Sequence, residues 1–148
     1  MKAKELMTAD PGTCGPTDDI EQALAIMDSQ ECGAVPVVDK QGRVLGIVTD
    51  RDILFGARKG GGRLSGLTVE PCMTKDPVTV REDEDAEQVI RVMTRERVRR
   101  IPVVDSDSKL RGIIAQADVA MHVEDDALVA RYLREISAAP ADEPAPER

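Results

Sequence analysis

The chain repeats itself. Sliding the sequence by 66 residues lays Met7-Thr8-x-Asp10-Pro11-x-Thr13 on Met73-Thr74-x-Asp76-Pro77-x-Thr79. Without a gap, Asp19-x-Glu21-Gln22 then falls on Asp85-x-Glu87-Gln88, and Met27 on Met93. Further on, Pro36-Val37-Val38-Asp39 meets Pro102-Val103-Val104-Asp105, Gly46-Ile47 meets Gly112-Ile113, and Asp52 meets Asp118. Of the 47 positions from 7 to 53, 16 are identical to their counterparts. One long period repeated twice is not a solenoid, whose units run about 20–45 residues and recur several times. It describes two copies of a small module, each too slight to be comfortable alone.

Each copy predicts the order strand, helix, strand, strand, helix. Ile20, Ala23, Leu24 and Met27, like Ala86, Val89, Ile90 and Met93, are spaced as one apolar helical stripe. Carboxylates crowd the start of each stripe, where the helix dipole favours them. Gly33 is placed to stop the first helix. The β-branched runs Ala34–Val38 and Ile101–Val104 predict strands, and the proline inside each suggests an edge or a strand start. Asp39 to Gly42 reads as a turn and Val44 to Val48 as a second buried strand. Leading strands are expected around Gly12 to Cys14 and Val78 to Val80. Gly56 to Arg63 reads as a flexible basic loop. The expected division is a first module with its linker at 1–63, a second at 64–121, a C-terminal helix at 122–137 and a disordered tail at 138–148. The apolar side of that helix is Leu128, Val129, Tyr132, Leu133 and Ile136.

Composition narrows the partners. The net charge is −8, which opposes bulk attraction to nucleic acid or to an anionic membrane. Phe55 and Tyr132 are the only aromatic residues, so bases cannot stack on a ladder of rings. No stretch has the length or apolarity of a membrane span, and the charged start is unlike a secretory signal, so a cytoplasmic location is expected. Cys14, Cys32 and Cys72 are widely spaced and form no CxxC pair, which argues against zinc; no metal site is read here. They read as small buried hydrophobes in a reducing compartment, with redox sensing through Cys14 or Cys32 a weaker alternative.

Gly46-Ile47-Val48-Thr49-Asp50-Arg51-Asp52 runs from a strand into a helix start. Thr49 and Asp52 have the spacing of a capping box. The same turn could instead present backbone N–H groups to a phosphate, with Asp52 accepting hydrogen bonds from a ribose diol. In the second copy Ala115 replaces the threonine while Asp118 remains, so both readings stay open.

Met-Thr-x-x-Pro at the head of each copy, Val-Pro-Val-Val-Asp in the middle of the first and Gly-Ile-Val-Thr-Asp-Arg-Asp at its end resemble cystathionine β-synthase (CBS) domains over about residues 5 to 121. The resemblance implies an α+β fold in which two β-α-β-β-α modules pack sheet to sheet with pseudo-twofold symmetry. It also implies a stand-alone protein that dimerises into a disc and binds AMP, ADP, ATP, NAD or S-adenosylmethionine between the copies. It requires no cofactor. One cleft would use Thr49, Arg51 and Asp52 with Met73, Val78 and Val98. The other would use Asp118, Arg99 and Arg100 with Met7, Gly12 and Cys32.

Residues 91 to 100 carry five arginines against one glutamate. For Arg91, Arg95 and Arg97 a solvated helix end is the simple account; Arg99 and Arg100 lie beyond the stripe, just before a strand. His122, the single histidine, stands outside the repeats without a nucleophile partner and reads as a surface residue. No catalytic residue is assigned, and the chain is not read as an enzyme. The expected function is regulatory sensing of cellular energy through an adenosine-containing ligand, signalled to an effector protein. The alternative is a ligand-free dimerisation or scaffold module in which Asp52 and Asp118 are helix caps.

Overall fold

The computed structural model describes residues 1–138. In chain order it contains α1 (Ala3–Leu6), β1 (Thr8–Ala9), α2 (Ile20–Gln30), β2 (Ala34–Val38), β3 (Val44–Thr49), α3 (Asp50–Lys59), β4 (Thr74–Lys75), β5 (Val80–Arg81), α4 (Ala86–Glu96), β6 (Arg100–Val104), β7 (Leu110–Ala115), α5 (Gln116–His122) and α6 (Asp126–Ser137). The α+β class is as expected. The tail 138–148 lies outside the described residues but for Ala138.

The chain divides into two compact units that do not coincide with the two repeats. One spans Pro11–Pro77; the other joins Met1–Asp10 to the chain from Val78 onward. The reason is visible in the sheets. The first unit has the strand order β2-β3-β4, the second β1-β7-β6-β5, so the short strand heading each repeat pairs within the other unit. Ala9 lies opposite Gly112 and Lys75 opposite Gly46. At each glycine a Cβ would collide: 2.4 Å from the Met7 sulfur at Gly112, 2.8 Å from the Met73 sulfur at Gly46. Only glycine lets these methionines and the strands behind them lie flat on the sheet.

Each unit has its own core. Ile20, Ala23, Met27, Val35, Val37, Val48 and Ile53 form one. Val89, Ile90, Met93, Ile101, Val103, Ile114 and Val119 form the other, closed by Tyr132 and Ile136 from α6. The helical stripes are therefore the buried faces. α1 was not legible as a helix, although Ala3 and Leu6 are buried at the i, i+3 spacing.

Four local expectations are corrected. Gly33 does not end α2; Glu31 does, in the left-handed conformation at φ 50°. Cys32 N–H then donates to the Met27 carbonyl at 3.0 Å, and Val98 repeats this on Met93 at 3.1 Å behind left-handed Arg97. These bonds satisfy the helix-end carbonyls in a Schellman arrangement, so no glycine is needed. Gly56 to Lys59 is not loop but the last turn of α3, because the Cys72 sulfur fills the space beside Gly56. The first leading strand shrinks to a single bridge, Cys14 to Val37, and the second is displaced to Val80–Arg81. Finally, Pro102 sits inside an internal strand. The equivalent Pro36 shows why this is tolerated: its carbonyl accepts from Cys14 N–H, so its polar edge faces away from β3 and the ladder loses no donor.

The hairpin turns expose one difference between the copies. Asp39 and Asp105 each accept two backbone N–H bonds through Oδ1, and the Lys109 N–H foremost holds the Asp105 carboxyl below its ordinary range. Gly42 turns at φ 83°, whereas its counterpart Ser108 is held at φ 63°. A side chain there costs about 1–2 kcal/mol. Ser108→Gly is expected to stabilise the protein by about 1 kcal/mol in denaturant titrations.

Tyr132 is fully buried and donates to the Val98 carbonyl at 2.9 Å. Burial pushes its hydroxyl up to about 12, against the opposing pull of Arg99 and Arg100. The neutral phenol is thus favoured by folding. Its stabilising contribution is whole below about pH 10, the ordinary tyrosine value, and fades as pH rises toward the folded value. As the only tyrosine in a chain without tryptophan, Tyr132 can be followed directly by its 295 nm absorbance. Its ionisation is expected to coincide with alkaline unfolding, and Tyr132→Phe to lower stability by about 1 kcal/mol.

Candidate functional site

In both units a strand runs straight into a helix, and the turn is built the same way. Thr49 caps α3: its Oγ1 accepts from Asp52 N–H at 3.1 Å, and Asp52 Oδ2 accepts from Thr49 N–H at 3.1 Å. In the other unit Asp118 Oδ2 accepts from Ala115 N–H at 2.8 Å. The half of the capping box that depends on the aspartate therefore survives without threonine. Retention of Asp118 beside Ala115 is accounted for by this bond and needs no ligand.

The neighbours of the turn come from the preceding hairpin. Ala34 is the register partner of Thr49, and Asp50 N–H donates to the Gly33 carbonyl at 3.1 Å. Correspondingly, Arg100 pairs with Ala115, and Gln116 N–H donates to the Arg99 carbonyl at 2.8 Å. The structure thus brings Arg99 and Arg100 to the helix start that carries Asp118. The first turn has Gly33 and Ala34 in those places.

Burial separates the two carboxylates. Asp52 is 5% exposed, the one buried charged side chain among the described residues, while Asp118 is half-buried. A carboxylate withdrawn from water must be satisfied by hydrogen bonds. The Thr49 N–H bond contributes to this and holds the side chain in one orientation. A carboxylate has about four acceptor positions, so capping and ligand binding are compatible roles.

The other expected residues fall as follows. Arg51 is exposed, its guanidinium 5.4 Å from the centre of the Phe55 ring. Met73 lies on Gly46 beside β3, and Met7 on Gly112 beside β7. Thr49, Arg51, Asp52 and Met73 share one unit; Val78 and Val98, expected with them, belong to the other. Asp118, Arg99, Arg100 and Met7 share the second unit, while Gly12 and Cys32 belong to the first. Gly12 packs under Ile26 and Gln30, and Cys32 and Val98 fill matching places beside the two cores. His122 is exposed, with Nδ1 3.3 Å from the Asp118 carbonyl.

The three cysteines are free thiols. Burial, with Asp18 adding to it, pushes the Cys14 thiol up to about 11; burial and then Asp52 raise Cys72. Neither forms thiolate readily at neutral pH, which opposes a redox role for Cys14. Among the described residues no cluster of His, Cys, Asp or Glu could hold a metal ion, and no helix is long and apolar enough to cross a membrane.

A strand-to-helix turn with an acidic residue at the third helical position thus recurs on two copies of one small α+β module. The family description "CBS domain" matches residues 3–58 and 69–125, and the chain belongs to the CBS-domain family. It is 35% identical to the uncharacterized protein YlbB of Bacillus subtilis, over 92% of this chain and 91% of that one. It is 34% identical to inosine-5'-monophosphate dehydrogenase of Methanocaldococcus jannaschii, over 80% of this chain but only 23% of the enzyme. Among solved structures, CBSX2 in complex with AMP, a CBS-pair protein of Arabidopsis thaliana, superposes with a TM-score of 0.69 at 28% identity, covering 80% of this chain and 93% of that one. The CBS domain pair of protein MJ0100, in complex with 5'-methylthioadenosine and S-adenosyl-L-methionine, gives 0.72 at 27% identity, covering 81% and 97%.

Cys14 and Cys72 are expected to react with an aromatic disulfide reagent only on unfolding, with Cys32 the fastest in the native protein. Equal rates for all three would contradict their burial.

Proposed function

We propose that this chain is a regulatory module that takes an adenosine-containing ligand, with Asp52 and Asp118 as acceptors for ribose hydroxyls. The observation that carries the reading is the buried Asp52 carboxylate, held in one orientation by the Thr49 N–H at the start of a helix. Thr49 and Arg51 lie in the same turn; Arg99 and Arg100 supply positive charge beside Asp118. Relatives of the same fold carry AMP or S-adenosyl-L-methionine. Met7, Met73, Val78, Val98, Gly12 and Cys32 would provide aliphatic and backbone surface for the base, in keeping with a chain that has no ring to spare. The ligand would act in a reducing cytoplasm on a homodimer, reporting cellular energy state through association with an effector protein.

One observation favours the scaffold reading: both aspartates make the cap bonds that a ligand-free module needs. Differential scanning fluorimetry with AMP, ADP, ATP, NADH and S-adenosylmethionine separates the two. A ligand at 100 times its dissociation constant adds about 2.7 kcal/mol, a shift of several degrees. Asp52→Ala or Asp118→Ala should abolish that shift at whichever turn binds. The scaffold reading expects no shift with any ligand at millimolar concentration, and about 1 kcal/mol of baseline stability lost in either variant.

A further inference from the structure

The C-terminal half of α4 with its cap and one face of α6 enclose a groove of about 360 Å³, lined by Arg91, Arg95, Arg97, Leu128, Arg131 and Glu135 with Thr94 between them. Four arginines and one glutamate thus line a single groove in a protein whose net charge is −8. A solvated helix end accounts for Arg91, Arg95 and the capping Arg97, but not for Arg131, which comes from another helix and makes no ion pair among the described residues. Arg91 to Glu87 spans 3.9 Å and Arg97 to Glu135 4.0 Å, both exposed; Arg95 at 3.0 Å engages Glu96 next to it in the chain. Exposed pairs of this kind contribute little, and Arg91 and Arg95 repel each other at the i, i+4 spacing. Three nearby carboxylates, Glu87, Glu96 and Glu135, face these four arginines through loose or local pairs, so the groove keeps positive charge that an anion can offset.

We propose that this groove is a binding site for a compact, multiply charged phosphate anion, separate from the strand-to-helix turns that carry Asp52 and Asp118. Guanidinium forks match phosphate oxygens two at a time. A recess of this volume, with the charges clustered and not strung in a line, suits a short polyphosphate better than an extended acidic peptide. Leu128 gives one apolar wall, and the Thr94 hydroxyl, which donates to the Ile90 carbonyl at 2.7 Å, keeps acceptor lone pairs only, so the arginines do the binding.

The test is calorimetric titration of the full chain with inorganic tripolyphosphate at low ionic strength, where charges act over more than about 10 Å. One anion per groove is expected. Arg95→Gln/Arg131→Gln should weaken it at least about tenfold, the equivalent of one charge-assisted contact. The same variant should leave the melting temperature of the ligand-free protein unchanged or raised, because repulsion is relieved. Asp52→Ala/Asp118→Ala should leave tripolyphosphate binding intact, so failure of the nucleotide reading and failure of this one are distinguishable. In that background a parallel titration with ADP separates a nucleotide-borne diphosphate, whose binding would show the same dependence on Arg95 and Arg131, from free polyphosphate. Absence of binding by the parent, undiminished affinity in Arg95→Gln/Arg131→Gln, or an equal loss in the loop variant Arg58→Gln/Arg63→Gln would overturn the proposal.

Discussion

Both units depend on one contact: a methionine and a two-residue strand laid across a sheet at a glycine. Where Met7 meets Gly112 and Met73 meets Gly46, no side chain of any kind fits beneath the sulfur. That close approach lets β1 complete a sheet built from the second repeat, and β4 one built from the first. Each repeat is short of a full core, and the exchanged segments supply what is missing. In one case these include the buried Ala3 and Leu6 of α1. The head of each copy is consequently a structural part of its neighbour's unit.

The strand-to-helix turns inherit their geometry from this arrangement. β3 and β7 are held on both sides, so the helices that follow start at a defined place, and the aspartate at the third position is pinned by the backbone of the capping residue. A pinned acceptor at a helix start suits recognition of a hydroxyl-rich, anionic ligand. It also serves the helix itself, which is why geometry alone leaves two roles for Asp52 and a ligand titration decides between them. The two turns are not equivalent: one is more deeply buried and has its threonine, while the other has arginines alongside.

Much of this was readable. The apolar stripes at Ile20 to Met27 and Ala86 to Met93 are the buried helix faces, because helical spacing and burial follow from the same 3.6-residue turn. The hairpin turns at Asp39 and Asp105 were also legible, since the residues concerned are close in sequence or joined by the repeat, whereas the placing of Arg99 and Arg100 beside the start of α5 was expected only through the family resemblance. Gly33 misled because a left-handed cap usually calls for glycine, and here Glu31 and Arg97 take that conformation instead. Gly56 misled because a helix can keep a glycine when a neighbour such as Cys72 occupies the missing volume. Arg131 had no local signal at all.

By itself the sequence determined the two-copy plan, the helix faces, the strand-to-helix turns with their aspartates, and the family. These are encoded in short-range spacing and in identity between the copies, and both survive without coordinates. Only the tertiary structure decided which segment completes which sheet, that Tyr132 seals a core through Val98, and that Arg131 joins the arginines of α4 in one groove. Those are contacts between residues far apart in the chain, set by which surfaces can be buried together, and no local pattern of residues records them.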